Sequence, residues 1–197
     1  MKDIILYGSK YGSCRQYAQK LSLQTKIPAV SYKKAPAFAD YHTIVYMGSL
    51  YAGGVLGLAK TLRKVTLQKG QRLLIVTVGL SDPAEAETRE NIRALLQKQI
   101  PKNLFSKAKI FHLRGRIDYH KLHVFHRILM ALLHCALRKT PKEKWTAEER
   151  VIAETYGKNA DFTNYEALDP LVEALQNNPV PECKKDPEHK SSPGLLV

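Results

Sequence analysis

Acidic residues are scarce in this chain: 18 Asp and Glu face 31 Lys and Arg in 197 residues, a formal charge of +13 at pH 7. So few carboxylates disfavour cationic partners and favour anionic ones, such as phosphates, nucleic acid or lipid headgroups, without choosing among them. Cysteine is sparse too. Cys14, Cys135 and Cys183 lie too far apart for CxxC metal spacing, and their odd number leaves no closed disulfide framework. No apolar run approaches the roughly 18 residues of a spanning helix. The opening MKDIILYGSK turns polar too early for a signal peptide. Neither GxGxxG nor GxxxxGK followed by Ser or Thr occurs, which excludes the dinucleotide fingerprint and the Walker A loop. No Ser-His-Asp or Cys-His set emerges by spacing, so no side chain is singled out as catalytic. The expectation is a reduced, soluble, cytoplasmic protein of one domain.

What the chain does contain is alternation. Short apolar runs at 3–7 (DIILY), 43–47 (TIVYM), 72–78 (RLLIVTV) and 109–113 (KIFHL), with a weaker one at 29–32, read as strands. Helical patterns fall between them at 13–23, 56–66 and 84–99. Near-continuous apolar strands separated by helices are what a parallel sheet covered on both faces requires, and an open doubly wound α/β sheet is the reading.

In such a sheet ligands bind at the carboxyl ends of the strands. The first end, Tyr7-Gly8-Ser9-Lys10-Tyr11-Gly12-Ser13-Cys14, runs straight into a helix, whose free amides and dipole can hold a phosphate without a lysine. Ser9 and Ser13 add hydroxyls, and Gly12 allows close backbone approach; an ordinary β–α turn would use the same residues for conformational reasons. This segment, followed by Ala18, resembles the first phosphate loop of the flavodoxin family, with Tyr11 where a small polar residue is usual and Cys14 in place of the final threonine. A thiol is a poor donor, so backbone amides would carry more of the phosphate binding.

The later loops fit the same resemblance. Met47-Gly48-Ser49-Leu50-Tyr51-Ala52-Gly53-Gly54 is similar to the loop that wraps one side of an isoalloxazine ring, with Tyr51 placed to stack on it. Val78-Gly79-Leu80-Ser81-Asp82-Pro83 would border the other side through Gly79 and Leu80, while Ser81 and Asp82 serve equally well as caps of a helix starting at Pro83. Leu113-Arg114-Gly115-Arg116-Ile117-Asp118-Tyr119, running into HKLHVFHRILMALL, resembles the segment after the fifth strand in menaquinone-dependent protoporphyrinogen dehydrogenases.

The resemblance implies a flavodoxin-like α/β fold: a five-stranded parallel sheet of order 2-1-3-4-5 with an insertion after the fifth strand. It implies FMN as cofactor, held by Ser9, Lys10, Tyr11, Gly12, Ser13, Cys14, Ser49, Leu50, Tyr51, Ala52, Gly79, Leu80 and Ser81. The activity it implies is an FMN-dependent oxidoreductase passing electrons between an anionic apolar substrate and a quinone-type acceptor. Substrate would meet Arg114, Arg116 and Tyr119, the two arginines pairing with carboxylates. A one-electron carrier docking on redox partner proteins, and a flavin-free scaffold, stay open as alternatives. Arginines at the ring edge with few carboxylates nearby would stabilise the anionic reduced flavin and favour two-electron chemistry.

The segment 122–138 also speaks without any family. At 100° per residue, His123, Arg127, His134 and Arg138 share a narrow polar stripe, and Leu122, Phe125, Ile128, Leu129, Leu132, Leu133 and Leu137 fill a wide apolar arc. An ordinary core helix is the first expectation; contact with a membrane interface is the second, and a homodimer surface is also open. His120, His123 and His126 recur every three residues, but the span splays the rings and no metal site is expected. The basic run RKTPKEK lacks interleaved aromatics and any nucleic-acid motif, so no nucleic-acid partner is expected. Thr146 and Glu149 form a capping-box pattern opening a short helix. The domain should extend over 1–176, with 114–164 as a partly helical insertion that sets substrate choice, closed by an amphipathic helix at 164–177. The proline-rich stretch 177–197 reads as a disordered tail.

Overall fold

The computed structural model describes residues 2–51 and 53–177; the expectations for Ala52 and for the tail beyond residue 177 lie outside them. Strands β1 (Lys2–Gly8), β2 (Ala29–Ser31), β3 (Tyr41–Tyr51), β5 (Arg72–Gly79) and β6 (Ala108–Arg114) form a parallel sheet of order β2-β1-β3-β5-β6. Counted over the parallel strands alone, that is the expected 2-1-3-4-5. A short strand β4 (Gly54–Val55) folds back antiparallel on the end of β3.

The continuous apolar runs follow from burial on both faces. Along β1, Ile5 points into one core with Tyr17 and Leu21 of α1 (Ser13–Thr25) and with Leu171 and Leu175. Ile4 and Leu6 point into the other, with Leu58 and Leu62 of α2 (Leu58–Leu62) and Ile92 and Leu96 of α3 (Ala86–Gln99). A short α4 (Lys102–Phe105) leads into β6. The closing helix α7 (Asp169–Gln176) follows a 3-10 turn, starting later than the pattern at 164 suggested because Pro170 sits in its first turn.

The insertion is bounded by a ribbon not foreseen in the sequence: β7 (Arg116–Asp118) pairs antiparallel with β8 (Asn159–Asp161). Three-residue strands carry too little periodicity to be read in advance. Between them lie α5 (Val124–Leu137) and α6 (Ala147–Thr155), the latter opened by the expected capping box of Thr146 and Glu149. Arg150 of α6 bridges to Glu85 at 3.0 Å and to Glu87 at 3.3 Å, tying the insertion to the start of α3.

The core-helix expectation for α5 is overturned. Of its residues only Leu137 is buried, and Phe125 and Leu132 are 72% and 65% exposed. Of the polar stripe only His134 turns to the protein, stacking on Tyr156 at 4.0 Å with the rings 6° from parallel, while His123, Arg127 and Arg138 are exposed. Periodicity reveals an apolar face but not which side of it meets water. Among the described residues no helix is long and apolar enough to cross a membrane.

The two ends of the insertion meet at Tyr17. This side chain, fully buried on α1, donates its hydroxyl to the Arg114 carbonyl at 2.7 Å and accepts from the Asn164 amide at 2.9 Å. Phe162 N–H adds a bond to the Gly115 carbonyl at 3.1 Å. Tyr17→Phe keeps the ring but removes the hydrogen-bond partner of the Arg114 carbonyl and the Asn164 amide. It should cost about 1–3 kcal/mol in urea unfolding and speed hydrogen exchange at Asn164 while α1 stays protected; unchanged stability would contradict the clamp.

Candidate functional site

Register brings the strand ends level. Gly8 pairs beside Gly48, Ser49 beside Val78, and Gly79 beside Arg114, so all four expected loops share one edge of the sheet. Ser49 ties the first two strands by donating its hydroxyl to the Gly8 carbonyl at 3.2 Å. Gly115 N–H, bonded to the Gly79 carbonyl at 2.6 Å, ties the last two.

The first loop ends in an anion-suited helix start. Gly12 has φ +101°, a conformation that L side chains rarely adopt, and its carbonyl accepts the first helical bond, from Gln16. The amides of Ser13, Cys14 and Arg15 precede that bond, and no acidic residue stands in the first turn. Ser9 Oγ accepts from Gly12 N–H at 3.2 Å and Ser13 Oγ from Arg116 N–H at 3.2 Å. Cys14 sends its side chain inward: the fully buried thiol donates to the Met47 carbonyl at 3.1 Å, and burial pushes its pKa up to about 12. Its thiol is therefore turned away from any ligand at the loop.

The second loop is not an open loop. β3 continues to Tyr51 and returns as a hairpin, with Leu50 opposite Val55 and Tyr51 opposite Gly54. Gln99, a residue with no local signal for this role, accepts from Val55 N–H at 2.7 Å and fills the space over Gly54. Leu50 lies against Gly79, where an added Cβ would come within 2.6 Å of its Cδ1, so the second and third loops touch. In the third loop Asp82 accepts from Ala84 N–H at 2.9 Å, and α3 begins at Ala86 rather than at Pro83. An Asx turn, not a helix cap, uses Asp82. Leu80 and Ser81 lie half-exposed beside it.

The two expected substrate arginines separate. Arg114 acts as a loop clamp: Nε donates to the Leu80 carbonyl at 3.0 Å, its guanidinium lies 3.9 Å over the Phe162 ring, and Asp82 stands 3.7 Å away. Arg116 reaches the phosphate loop instead, with Nη2 3.7 Å from where a Gly12 Cβ would stand and Asp161 at 4.0 Å. The field at the ring edge is therefore less positive than two unpaired cations would give. Tyr119 is buried, edge-on to Tyr156, and its pKa is pushed up by burial to about 12. It lines a cleft of about 500 Å³ beside α5 with Val124, Arg127, Ile128, Ala131 and Tyr156.

A bridge crosses the site. His126 Nδ1 lies 2.6 Å from the Tyr11 hydroxyl, and its Nε2 bonds the Tyr51 hydroxyl. Lys10 Nζ stands 5.6 Å over the Tyr51 ring. Positions 115 and 75 residues apart in the chain carry no local signal of such a meeting. A neutral imidazole has one donor and one acceptor nitrogen, so one tyrosine donates and the other accepts. Desolvation, then Lys10 and His123, hold the His126 pKa below its ordinary value. Desolvation and Tyr51 raise that of Tyr11. A lowered histidine pKa means that the bridge is intact above the ordinary imidazole range and is lost as pH falls through the lowered value. By NMR, His126 should titrate below the ordinary histidine value, and Lys10→Ala should move it upward; a downward move would contradict the assignment.

Residues 4–144 match the family described as flavodoxin domain. Among curated proteins none matches the chain. Solved structures similar to it include a flavodoxin of Streptococcus pneumonia TIGR4, at 13% identity over 57% of this chain and 82% of that one, TM-score 0.42. An azoreductase from Bacillus anthracis str. Sterne aligns at 8% identity over 78% and 100%, TM-score 0.39. At these scores the structures add nothing to what the strand order and the family match establish. The chain belongs to the flavodoxin-domain family, and that membership points to FMN as its cofactor.

Proposed function

We propose that the protein is an FMN-dependent oxidoreductase, resembling the protoporphyrinogen dehydrogenases, that takes electrons from a flat, apolar, anionic substrate and passes them to a quinone-type acceptor. When bound, FMN would supply reversible two-electron transfer. The chain's own residues fit that cofactor. The α1 start, with Gly12, the amides of Ser13 and Cys14 and the Arg116 guanidinium, suits a phosphate monoester. Leu50, Tyr51 and the loop 79–81, which Arg114 fastens, suit the ring.

One observation favours an enzyme over a carrier: the insertion covers the strand ends. A carrier needs its ring edge open to partner proteins. Here α5 crosses the edge through His126, and beside it lies an apolar cleft lined by Tyr119, Ile128 and Tyr156 with the exposed Arg127 at its rim. That combination supports a ring-shaped substrate with carboxylates, the arginine pairing with an anionic group.

Protein reconstituted with FMN and desalted should stay yellow, and should turn over an anionic tetrapyrrole with a quinone. Arg116→Ala should weaken FMN binding by about tenfold or more, most at low salt. Arg114→Ala should hold FMN but loosen the 79–82 loop. No colour would end the flavoprotein reading; FMN retention without turnover would remove the tetrapyrrole and leave the carrier.

A further inference from the structure

Helix α5 presents the wrong face to water. Val124, Phe125, Ile128, Leu129, Leu132 and Leu133 are 70%, 72%, 55%, 46%, 65% and 39% exposed, and all lie on one arc. The orientation is held by specific contacts and is not a loosely placed end. His126 is bonded to Tyr11 and Tyr51, and His134 is stacked on Tyr156, so these two histidines grip the domain. A contiguous apolar face of this size on a monomer marks an interaction surface.

The charge around it says what kind. From Tyr119 through Lys142 there is no Asp or Glu. Lys121, Arg127, Arg138, Lys139 and Lys142 are all exposed within that stretch. The acid before it, Asp118, is paired with Lys121 at 3.3 Å. A basic rim around an apolar arc matches an anionic bilayer surface: side chains enter the acyl boundary while long cations reach back to headgroups. The helix has 14 residues, so it lies in the interface and does not span. A second copy is the poorer occupant, because pairing the same face would bring two acid-free basic rims together.

We propose that α5 docks the protein on anionic lipid bilayers, lying in the membrane plane with Phe125 and Leu132 inserted and Lys121, Arg138 and Lys139 at headgroup level. Docking would set the strand ends beside the membrane surface, since the first turn of the same helix carries His126. The inference does not depend on the redox reading, and it holds whether or not flavin is bound.

The test is sedimentation of the full chain with vesicles of phosphatidylglycerol and phosphatidylcholine, and with phosphatidylcholine alone, across a salt series. Binding should require the anionic lipid and weaken with salt. The double variant Phe125→Ser/Leu132→Ser should bind about tenfold more weakly or worse, with its circular dichroism and thermal melt unchanged because both residues are exposed. Arg138→Glu/Lys139→Glu, which leaves the apolar arc intact, should also reduce binding. Equal binding to both vesicle types, full binding by the serine variant, or an α5-dependent dimer that ignores vesicles would each overturn the proposal.

Discussion

The Tyr17 hydroxyl fixes where everything at the sheet edge can be. It joins the carbonyl of Arg114, the last residue of β6, to the amide of Asn164, just before the closing helix. About fifty residues leave and return through that one buried contact. Closing the loop at its base fixes where its two ends lie, at an entropic cost that grows only slowly with its length. It also sets the β7–β8 ribbon beside α1, which is why the Arg116 amide finds Ser13 and its guanidinium lies over Gly12.

From that base the insertion splits its tasks by polarity. The ribbon sets Arg116 at the α1 start, Arg114 and Phe162 hold the third loop, and α5 passes His126 across the tyrosines while turning its apolar arc outward. None of these contacts is strong singly. Exposed ion pairs at 3.7–4.0 Å contribute little. Their joint effect is positional, and position is what a site made from four separate loops needs.

The fold was legible because its signal is local. Runs such as RLLIVTV need burial on both faces, and a sheet of such strands with helices between them has few arrangements. The capping box at Thr146 was legible for the same reason. The site was legible only in part. Loop chemistry pointed to a glycine turn opening α1, which the structure has, but not to the inward turn of the Cys14 thiol, because the side-chain direction depends on the neighbouring Met47 carbonyl. Nor could spacing separate Arg114 from Arg116: two residues apart they would share a face of one strand, but Arg114 ends β6 and Arg116 opens β7, which pairs with β8. The facing of α5 was misread because amphipathicity is symmetric between a core and an outside surface. The Tyr11–His126–Tyr51 bridge joins three elements and leaves no trace in any one of them.

The most direct measurement is a nitrogen-edited NMR titration of the protein with FMN and, separately, with riboflavin, which has the same ring and no phosphate. The account predicts that FMN shifts the amides of Gly12, Ser13 and Cys14 together with the Tyr51 hairpin. Riboflavin should bind far more weakly and leave the Gly12–Cys14 amides in place. Equal affinity for the two, or FMN shifts confined to residues away from the α1 start, would contradict it.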